Sequence, residues 1–293
     1  MPGQTLSDIR ALLAEAGLAP QHRFGQHFLI DLNLMRKLAD SANLNPADTV
    51  LEVGAGTGSL TEILLDRGAR VVAVEIDHGL QGVLRQRLGG HPRFTLVQGD
   101  ALAGKHAVNP LVLRILAEQP PEAGGAYKLV ANLPYEIATP LLVDLLYVTP
   151  RFEQLTCTIQ REVGERLAGA PRTDAYGPVS VITQTLAETI PLSIIPATAF
   201  WPRPQIESIM VTLRPRPADQ IGVGVNDVPR FVQLVQRAFQ QRRKMLRRLF
   251  REWDESVALA VFQRAGVSPD ARPEELSPRD WRRLFAAAQR AGP

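Results

Sequence analysis

Thr49-Val50-Leu51-Glu52-Val53-Gly54-Ala55-Gly56-Thr57-Gly58 is the stretch that decides the fold. Its first half is a mostly apolar, β-branched run, the composition of a strand buried on both faces. Three alternating glycines follow, giving a turn whose backbone can reach positive φ and approach a ligand closely. Residues 59–67 then read as a helix. Strand, glycine turn and helix in succession make the opening unit of an α/β sheet. The spacing is G-x-G-x-G. A dinucleotide fingerprint would need glycine at position 59, where Ser59 stands, and this counts against a nicotinamide cofactor.

Outward from this unit, strands are expected at 70–76, 94–98, 129–131 and 154–160. Helices are expected at 80–88 and 140–147, and from 161 to about 168. Right-handed crossovers place the C-terminal tips of such strands along one edge, where open α/β sheets bind ligands. Four positions fall at successive tips: Gly54, Glu75, Asp100 and Asn132. Glu75, at the end of the second strand, suits the two hydroxyls of a ribose. Asp77 is the second choice for that task. Asp100 suits an adenine amine. Asn132-Leu133-Pro134-Tyr135 brings a carboxamide, two carbonyls and an aromatic ring to one strand tip, groups suited to holding a planar base by its exocyclic amine.

Upstream, residues 5–16 read as an amphipathic helix with Leu6, Ile9, Leu12 and Leu13 on one face. An irregular segment follows at 24–29, then a helix at 32–43. Residues 105–125 read as a helix flanked by loops, with no evident chemical role. Residues 190–195 and 208–214 read as antiparallel edge strands around a proline-stiffened loop at 200–204. A linker at 214–217 precedes helices beginning near 228, 255 and 277. The expected domains are 1–216 and 217–293.

The 293 residues, 45% of them hydrophobic and 22% charged, suit one large globular domain with a small companion. No run approaches the roughly 18 apolar residues of a membrane span. The N-terminus lacks a basic segment followed by an apolar one, so a cytoplasmic protein is expected. Cys157 is the single cysteine, which excludes an intramolecular disulfide; its apolar neighbours place it in the core. His22, His27, His78, His91 and His106 show no metal-ligand spacing, and no metal is expected. The net charge of +3 is unevenly distributed: residues 217–293 hold 14 Lys/Arg against 9 Asp/Glu. That basic C-terminal part points to a polyanionic partner.

With these positions assembled, the chain resembles class I S-adenosylmethionine-dependent methyltransferases, which have a Rossmann-like, mostly parallel sheet. Within them it resembles the ribosomal RNA adenine N6-dimethyltransferases. The motifs carrying the resemblance are Phe24-Gly25-Gln26-His27-Phe28-Leu29, Glu52-Val53-Gly54-Ala55-Gly56, Val74-Glu75-Ile76-Asp77, Gly99-Asp100-Ala101 and Asn132-Leu133-Pro134-Tyr135. Downstream stand Gln160-Arg161-Glu162-Val163, Ala175-Tyr176-Gly177, Phe200-Trp201-Pro202-Arg203-Pro204 and Phe239-Gln240-Gln241-Arg242-Arg243-Lys244. The resemblance implies S-adenosylmethionine contacts at His27, Leu29, Gly54, Gly56, Glu75, Asp100 and Asn132. His27 departs from the family's common asparagine. Either side chain can donate a hydrogen bond, and an imidazole, unlike an amide, changes charge with pH.

The later motifs resemble the small-subunit branch. They imply dimethylation of two adjacent adenines near the 3′ end of 16S rRNA, with a small-subunit (30S) assembly intermediate as the expected partner; a monomer is the simplest expectation. The alternatives are methylation of 23S rRNA, or a ribosome-assembly binding factor. Asn132, Leu133, Pro134 and Tyr135 are the expected catalytic set. The Asn132 side-chain oxygen and the Leu133 carbonyl would accept the two N6–H bonds, Pro134 would fix the turn, and Tyr135 would stack on the base with Phe28 on its other face.

Residues 236–251 carry seven Lys/Arg and no acid. Read as one continuous helix, Phe231, Val235, Ala238, Phe239, Leu246 and Leu249 form an apolar stripe. Arg237, Lys244, Arg248 and Arg251, with Arg247 at the edge, form an opposite ridge suited to RNA phosphates. Arg242 falls inside the apolar stripe and is expected in an ion pair, across the domain boundary.

Overall fold

In the computed structural model, residues 3–104 and 107–291 are described; His106 and the start of the expected 105–125 segment lie outside them. The helices are α1 (Leu6–Glu15), α2 (Leu32–Ser41), α3 (Ser59–Asp66), α4 (His78–Leu88), α5 (Pro110–Glu118), α6 (Tyr135–Leu145), α7 (Arg161–Leu167), α8 (Pro178–Leu186), α9 (Ala218–Ile221), α10 (Val228–Phe239), α11 (Glu255–Ala265) and α12 (Pro278–Ala291). The strands are β1 (Phe28–Leu29), β2 (Thr49–Val53), β3 (Arg70–Glu75), β4 (Phe94–Gln98), β5 (Tyr127–Asn132), β6 (Phe152–Gln160), β7 (Ala187–Ile195), β8 (Phe200–Trp201) and β9 (Ser208–Pro215).

Seven strands form one sheet in the order β4-β3-β2-β5-β6-β9-β7. The five from β4 to β6 are parallel, and β9 runs antiparallel to β6, pairing Cys157 with Val211. The sequence expected edge strands at both 190–195 and 208–214; β7 takes the edge, and β9 lies inside it next to β6. The strand order reverses between β2 and β5, so a crevice opens at the tips of these two strands.

Every residue of β2 is buried, as its mostly apolar run predicts, Thr49 and Glu52 included. On one face Val50, Val71, Ala73 and Val130 pack with Leu38 of α2, Leu64 of α3 and Leu84 of α4. The opposite-facing Leu51, Val72, Leu129 and Ala131 are fully buried as well. Burying each such side chain contributes about 1.5–3 kcal/mol. α5 packs against β3 and α6 against β6.

α6 begins at Tyr135, five residues before the next proline rather than at it. Helix was expected from 140, because proline favours a first turn, yet Pro140 lies inside α6 and Pro134 precedes its first residue. Asn-Leu-Pro-Tyr is therefore a strand-to-helix junction.

The chain divides into two compact units: one comprises residues up to Gly164 together with Ile190–Arg214, the other Glu165–Thr189 together with the chain from Pro215. The second boundary lies beside the expected linker. The segment 165–189 joins the second unit because Tyr176 is fully buried there, its ring against Phe239 and its hydroxyl donating to the Leu276 carbonyl at 2.6 Å. In that unit Phe231 meets Phe285 edge-on and Phe239 lies against Trp281.

The expected continuous basic helix is corrected: α10 ends at Phe239, and a 3-10 turn occupies Leu246–Phe250. Continuing the helix would stack Arg243 on Arg247, Lys244 on Arg248 and Arg247 on Arg251 at i,i+4, which is repulsive. The chain instead bonds to a neighbouring loop, Leu246 N–H to Ala271 O and Arg247 N–H to Pro269 O, both at 2.9 Å.

One buried ion pair anchors the start of β5: Lys128 Nζ lies 2.8 Å from Asp48, both nearly inaccessible. Asp48 also accepts the N–H groups of Asn45 and Ala126 at 2.8 Å each. Lys128→Ala strands a buried carboxylate and should cost about 3–5 kcal/mol in urea unfolding of the first unit. A loss below about 1 kcal/mol would show that Asp48 is satisfied without the lysine.

Candidate active site

A cavity of about 330 Å³ opens at the tips of β2, β3 and β5, lined among others by Gly54, Glu75, Asp100, Asn132 and Tyr135. Its size is that of a small-molecule site. Every residue expected to hold the cofactor lines it: His27, Leu29, Gly54, Gly56, Glu75, Asp100 and Asn132.

The glycine turn is built as its sequence demanded. Gly54 and Gly56 have φ of 76° and 61°, a region costly for other residues. Contact makes the demand stricter. A Cβ on Gly54 would stand 3.1 Å from the Pro134 ring, and one on Gly56 would stand 3.0 Å from the Phe28 ring. The turn therefore packs against the Asn-Leu-Pro-Tyr junction on one side and against Phe28 on the other.

Glu75 is buried, and each of its carboxylate oxygens accepts one backbone N–H: Gly56 at 2.8 Å and Asp77 at 2.9 Å. Burial nevertheless pushes its carboxyl above the usual range, with those two bonds opposing. Each oxygen keeps a lone pair for a ligand hydroxyl. Asp77 is committed elsewhere: one oxygen accepts the N–H groups of Gly79 and Leu80 at the start of α4, and the other accepts the amides of Gln21 and Gln26. Glu75 is thus the acid left available to the cavity. Asp100 has one oxygen on the Leu102 N–H at 2.9 Å, which orients the other.

Asn132 is pinned from both ends. Its Nδ2 donates to the His27 carbonyl at 2.9 Å, and its Oδ1 accepts the Thr158 hydroxyl from the neighbouring strand β6. A carbonyl can only accept, so this network fixes which end of the amide is oxygen. A second lone pair on Oδ1 remains. The Leu133 N–H is held by Thr158 O at 3.2 Å, while the Leu133 carbonyl meets no donor among the described residues. Two acceptors, Oδ1 and the Leu133 carbonyl, therefore stand at one strand tip.

The Tyr135 hydroxyl is bonded to Ser208 Oγ at 2.8 Å, and its ring is stacked on His27 with centroids 5.5 Å apart. Burial raises its phenol, the Ser208 bond acting the other way, so it stays neutral near pH 7. His27 Nδ1 lies 2.7 Å from the Pro202 carbonyl and must carry its proton there. Phe28 was expected across the base from Tyr135. Its ring packs on Gly56 and on Trp201, 6.2 Å between centroids, and lines the cavity. Strands β1 and β8 join these two aromatic segments, pairing Phe28 with Trp201.

Sequence reasoning missed two residues here. Thr158 carries no motif signal, because its role depends on the register of β5 with β6. Glu52 stood inside the glycine motif but was assigned no task. It lines the cavity, 1% exposed, with Oε2 accepting the Thr61 hydroxyl at 2.6 Å.

The basic residues form a separate feature in the second unit. Arg237, Lys244, Arg248 and Arg251 line one recess of about 100 Å³. Among the described residues Arg237, Lys244 and Arg248 have no acidic partner, whereas Arg251 lies 3.6 Å from Glu252. Arg247 lies apart from the recess, 3.1 Å from Asp270. Arg242 is ion-paired as expected, but with Glu274 of the same unit rather than across the boundary. No group of three or more His, Cys, Asp and Glu able to hold a metal occurs among the described residues, nor does a helix long and apolar enough to cross a membrane.

A mostly parallel sheet with a glycine turn, an acid at the next strand tip and a cavity between them defines a Rossmann-like methyltransferase. The sequence profile of the family described as ribosomal RNA adenine dimethylase matches residues 18–290, and the chain belongs to that family. It is 38% identical over 292 residues to the ribosomal RNA small subunit methyltransferase A of Moorella thermoacetica, covering 98% of each. It is 40% identical over 254 residues to the protein of that name from Caulobacter vibrioides, covering 86% of this chain and 91% of the relative. Among solved structures, a dimethyladenosine transferase from Plasmodium falciparum shares the fold with a TM-score of 0.72 at 21% identity, covering 91% of this chain and 98% of that one. The 23S rRNA methyltransferase ErmE superposes with a TM-score of 0.61 at 29% identity, covering 89% and 99%. The methyl donor this family membership implies is S-adenosylmethionine.

Thr158→Val should remove one of the two restraints on Asn132 and lower stability by about 1 kcal/mol. The Asn132 side-chain NH₂ resonances should shift and broaden in NMR spectra. Unchanged resonances would mean that His27 alone orients the amide.

Proposed function

We propose that this protein transfers methyl groups from S-adenosylmethionine to N6 of two adjacent adenines near the 3′ end of 16S rRNA, giving N6,N6-dimethyladenosine. Its substrate is a small-subunit (30S) assembly intermediate, and it acts as a cytoplasmic monomer without a metal. The observation that carries the reading is the pair of acceptors at the β5 tip, Asn132 Oδ1 and the Leu133 carbonyl, beside a cavity whose buried acids bond no cation among the described residues.

The cavity suits the methyl donor. Glu75 offers two oxygens to a ribose and Asp100 one to an adenine amine. The glycines at 54 and 56 let the chain lie close to a ligand. When bound, S-adenosylmethionine supplies an electrophilic methyl group on a positively charged sulfur.

The residues of the chain prepare the nucleophile. The N6 lone pair of adenine is delocalised into the ring, and accepting both N6–H bonds at Asn132 and Leu133 favours a pyramidal nitrogen. The Tyr135 ring, which lines the cavity, can stack on the base, an interaction worth about 1–3 kcal/mol. Pro134 fixes the junction. The neutral Tyr135 phenol is no base, and none is needed, since the methylated amine loses its proton readily. Catalysis is then positioning and electrostatics, on a base taken out of its stack. The recess formed by Arg237, Lys244, Arg248 and Arg251 would hold RNA phosphates, with Arg247 a weaker contact because Asp270 engages it.

Methylation of 23S rRNA is the second reading, favoured by the likeness to ErmE at 29% identity. The higher identity to relatives named for the small subunit supports the first. A role as an assembly factor alone fits poorly with an intact Asn132 network. Labelled S-adenosylmethionine incubated with unmethylated small or large subunits should mark two adjacent adenines of 16S rRNA. Label on 23S rRNA would replace this reading with the second. Asn132→Ala should lower transfer by at least about 100-fold; full activity would remove the amide from the mechanism. Reversing Lys244 and Arg248 to Glu should lower the salt-dependence slope of RNA binding by about two and leave cofactor affinity intact. An unchanged slope would make the recess a solvated surface.

A further inference from the structure

We infer that the outer face of α12, carrying Arg279, Arg283 and Arg290, is a second contact for the RNA backbone, separate from the recess formed by Arg237, Lys244, Arg248 and Arg251. The inference rests on the rRNA reading above and goes beyond it by adding a surface outside the expected RNA-binding residues.

The helix has two unlike faces. Trp281, Leu284, Phe285 and Ala287 are buried, and α12 packs on α8, α10 and α11. Arg279, Arg283 and Arg290 are exposed. At about 100° per residue they fall within about 40° of one another around the axis, and at a rise of about 1.5 Å they cover about 16 Å of its length. None has an acidic partner among the described residues. Asp280, the one acid of the helix, is engaged at its start by the Ser277 N–H at 3.1 Å and hydroxyl at 2.6 Å. No residue of α12 lines the recess.

Stability gives no reason for this arrangement. Arg279 and Arg283 stand at i,i+4, a like-charge pair that destabilises a helix. Arg279 also lies in the first turn, where the helix dipole disfavours a cation; Arg290, in the last turn, is the one that dipole favours. Arg282 flanks the stripe, its Nη1 donating to the Gln220 and Ile221 carbonyls at 3.0 Å each. Burial holds its guanidinium below the usual range, and the neighbouring positive charges of Arg216 and Arg279 lower it further.

The chemistry of the face selects the partner. All four cations of α12 are arginines, whose planar fork fits phosphate oxygens in pairs. An RNA backbone offers such groups in a row, and a stripe of separated arginines meets several of them at once. A membrane surface would require an exposed apolar stripe on the same helix, whereas Trp281, Leu284 and Phe285 are buried.

The test is binding of the full-length protein to unmethylated small subunits and to protein-free 16S rRNA over about 50–200 mM salt. Replacing Arg279, Arg283 and Arg290 together by Gln should lower the slope of log affinity against log salt by about two to three on both. S-adenosylmethionine affinity should stay unchanged. Adding Lys244→Glu and Arg248→Glu should lower the slope further, the two decreases summing. The corresponding triple Lys variant keeps the charge and should keep the slope while binding more weakly. If the Gln variant loses helix by circular dichroism, Arg283→Gln alone takes its place, with an expected decrease of about one. An unchanged slope would overturn the inference. So would weakened binding to subunits with an unchanged slope on protein-free rRNA, which would assign the face to an acidic ribosomal protein. A wild-type protein with no salt-dependent binding to either rRNA would end the rRNA reading and this inference with it. Wild-type binding with an unchanged slope in the variant removes the inference alone.

Discussion

The contact between Gly54 and Pro134 is the constraint around which the active site is arranged. A side chain at position 54 would stand 3.1 Å from the proline ring at a φ of 76°, so the close approach of the cofactor turn to the Asn-Leu-Pro-Tyr junction favours glycine there. Parallel pairing of β2 with β5 brings the two tips to the same level, and the reversal of strand order between them opens the cavity. From that contact the remaining positions follow. Asn132 ends β5 and is reached by Thr158 from β6, and the His27 carbonyl closes the network from the segment before β1.

Much of this architecture could be read from residue order. Apolar runs alternating with helical stretches made β2, β3, β4 and β6 stand out, and Glu75 and Asp100 at the ends of β3 and β4 marked the ligand edge. Residues whose roles come from tertiary pairing could not be read. Thr158 is an ordinary strand threonine until β6 is placed in register with β5. Trp201 and Phe28 lie in separate motifs, yet β1 and β8 join them. Proline was an ambiguous signal at 140, inside a helix that had already begun.

The basic segment shows the limit of helical periodicity. Its apolar and basic positions alternate as on a helix, yet the like charges at i,i+4 and the carbonyls of a nearby loop end α10 at Phe239. The broken path still gathers Arg237, Lys244, Arg248 and Arg251 around a single recess. It also separates Arg247, which a continuous helix would have kept at the edge of the ridge. Charge in the two units is organised in opposite senses. The first unit buries Glu52 and Glu75 beside its cavity with no cation bonded to either among the described residues, and the second gathers Arg237, Lys244 and Arg248 around a recess with no acidic partner among the described residues. A cationic small molecule and a polyanion are the respective ligands these environments favour.

The central claim is that Asn132 Oδ1 and the Leu133 carbonyl together hold the amine to be methylated. A crystal structure of the protein with adenosine and S-adenosylhomocysteine tests it most directly. The expected result is the adenine N6 within about 3 Å of both oxygens, with the base stacked on the Tyr135 ring. An adenine bound with N6 directed away from both acceptors, in a fully occupied site, would contradict it.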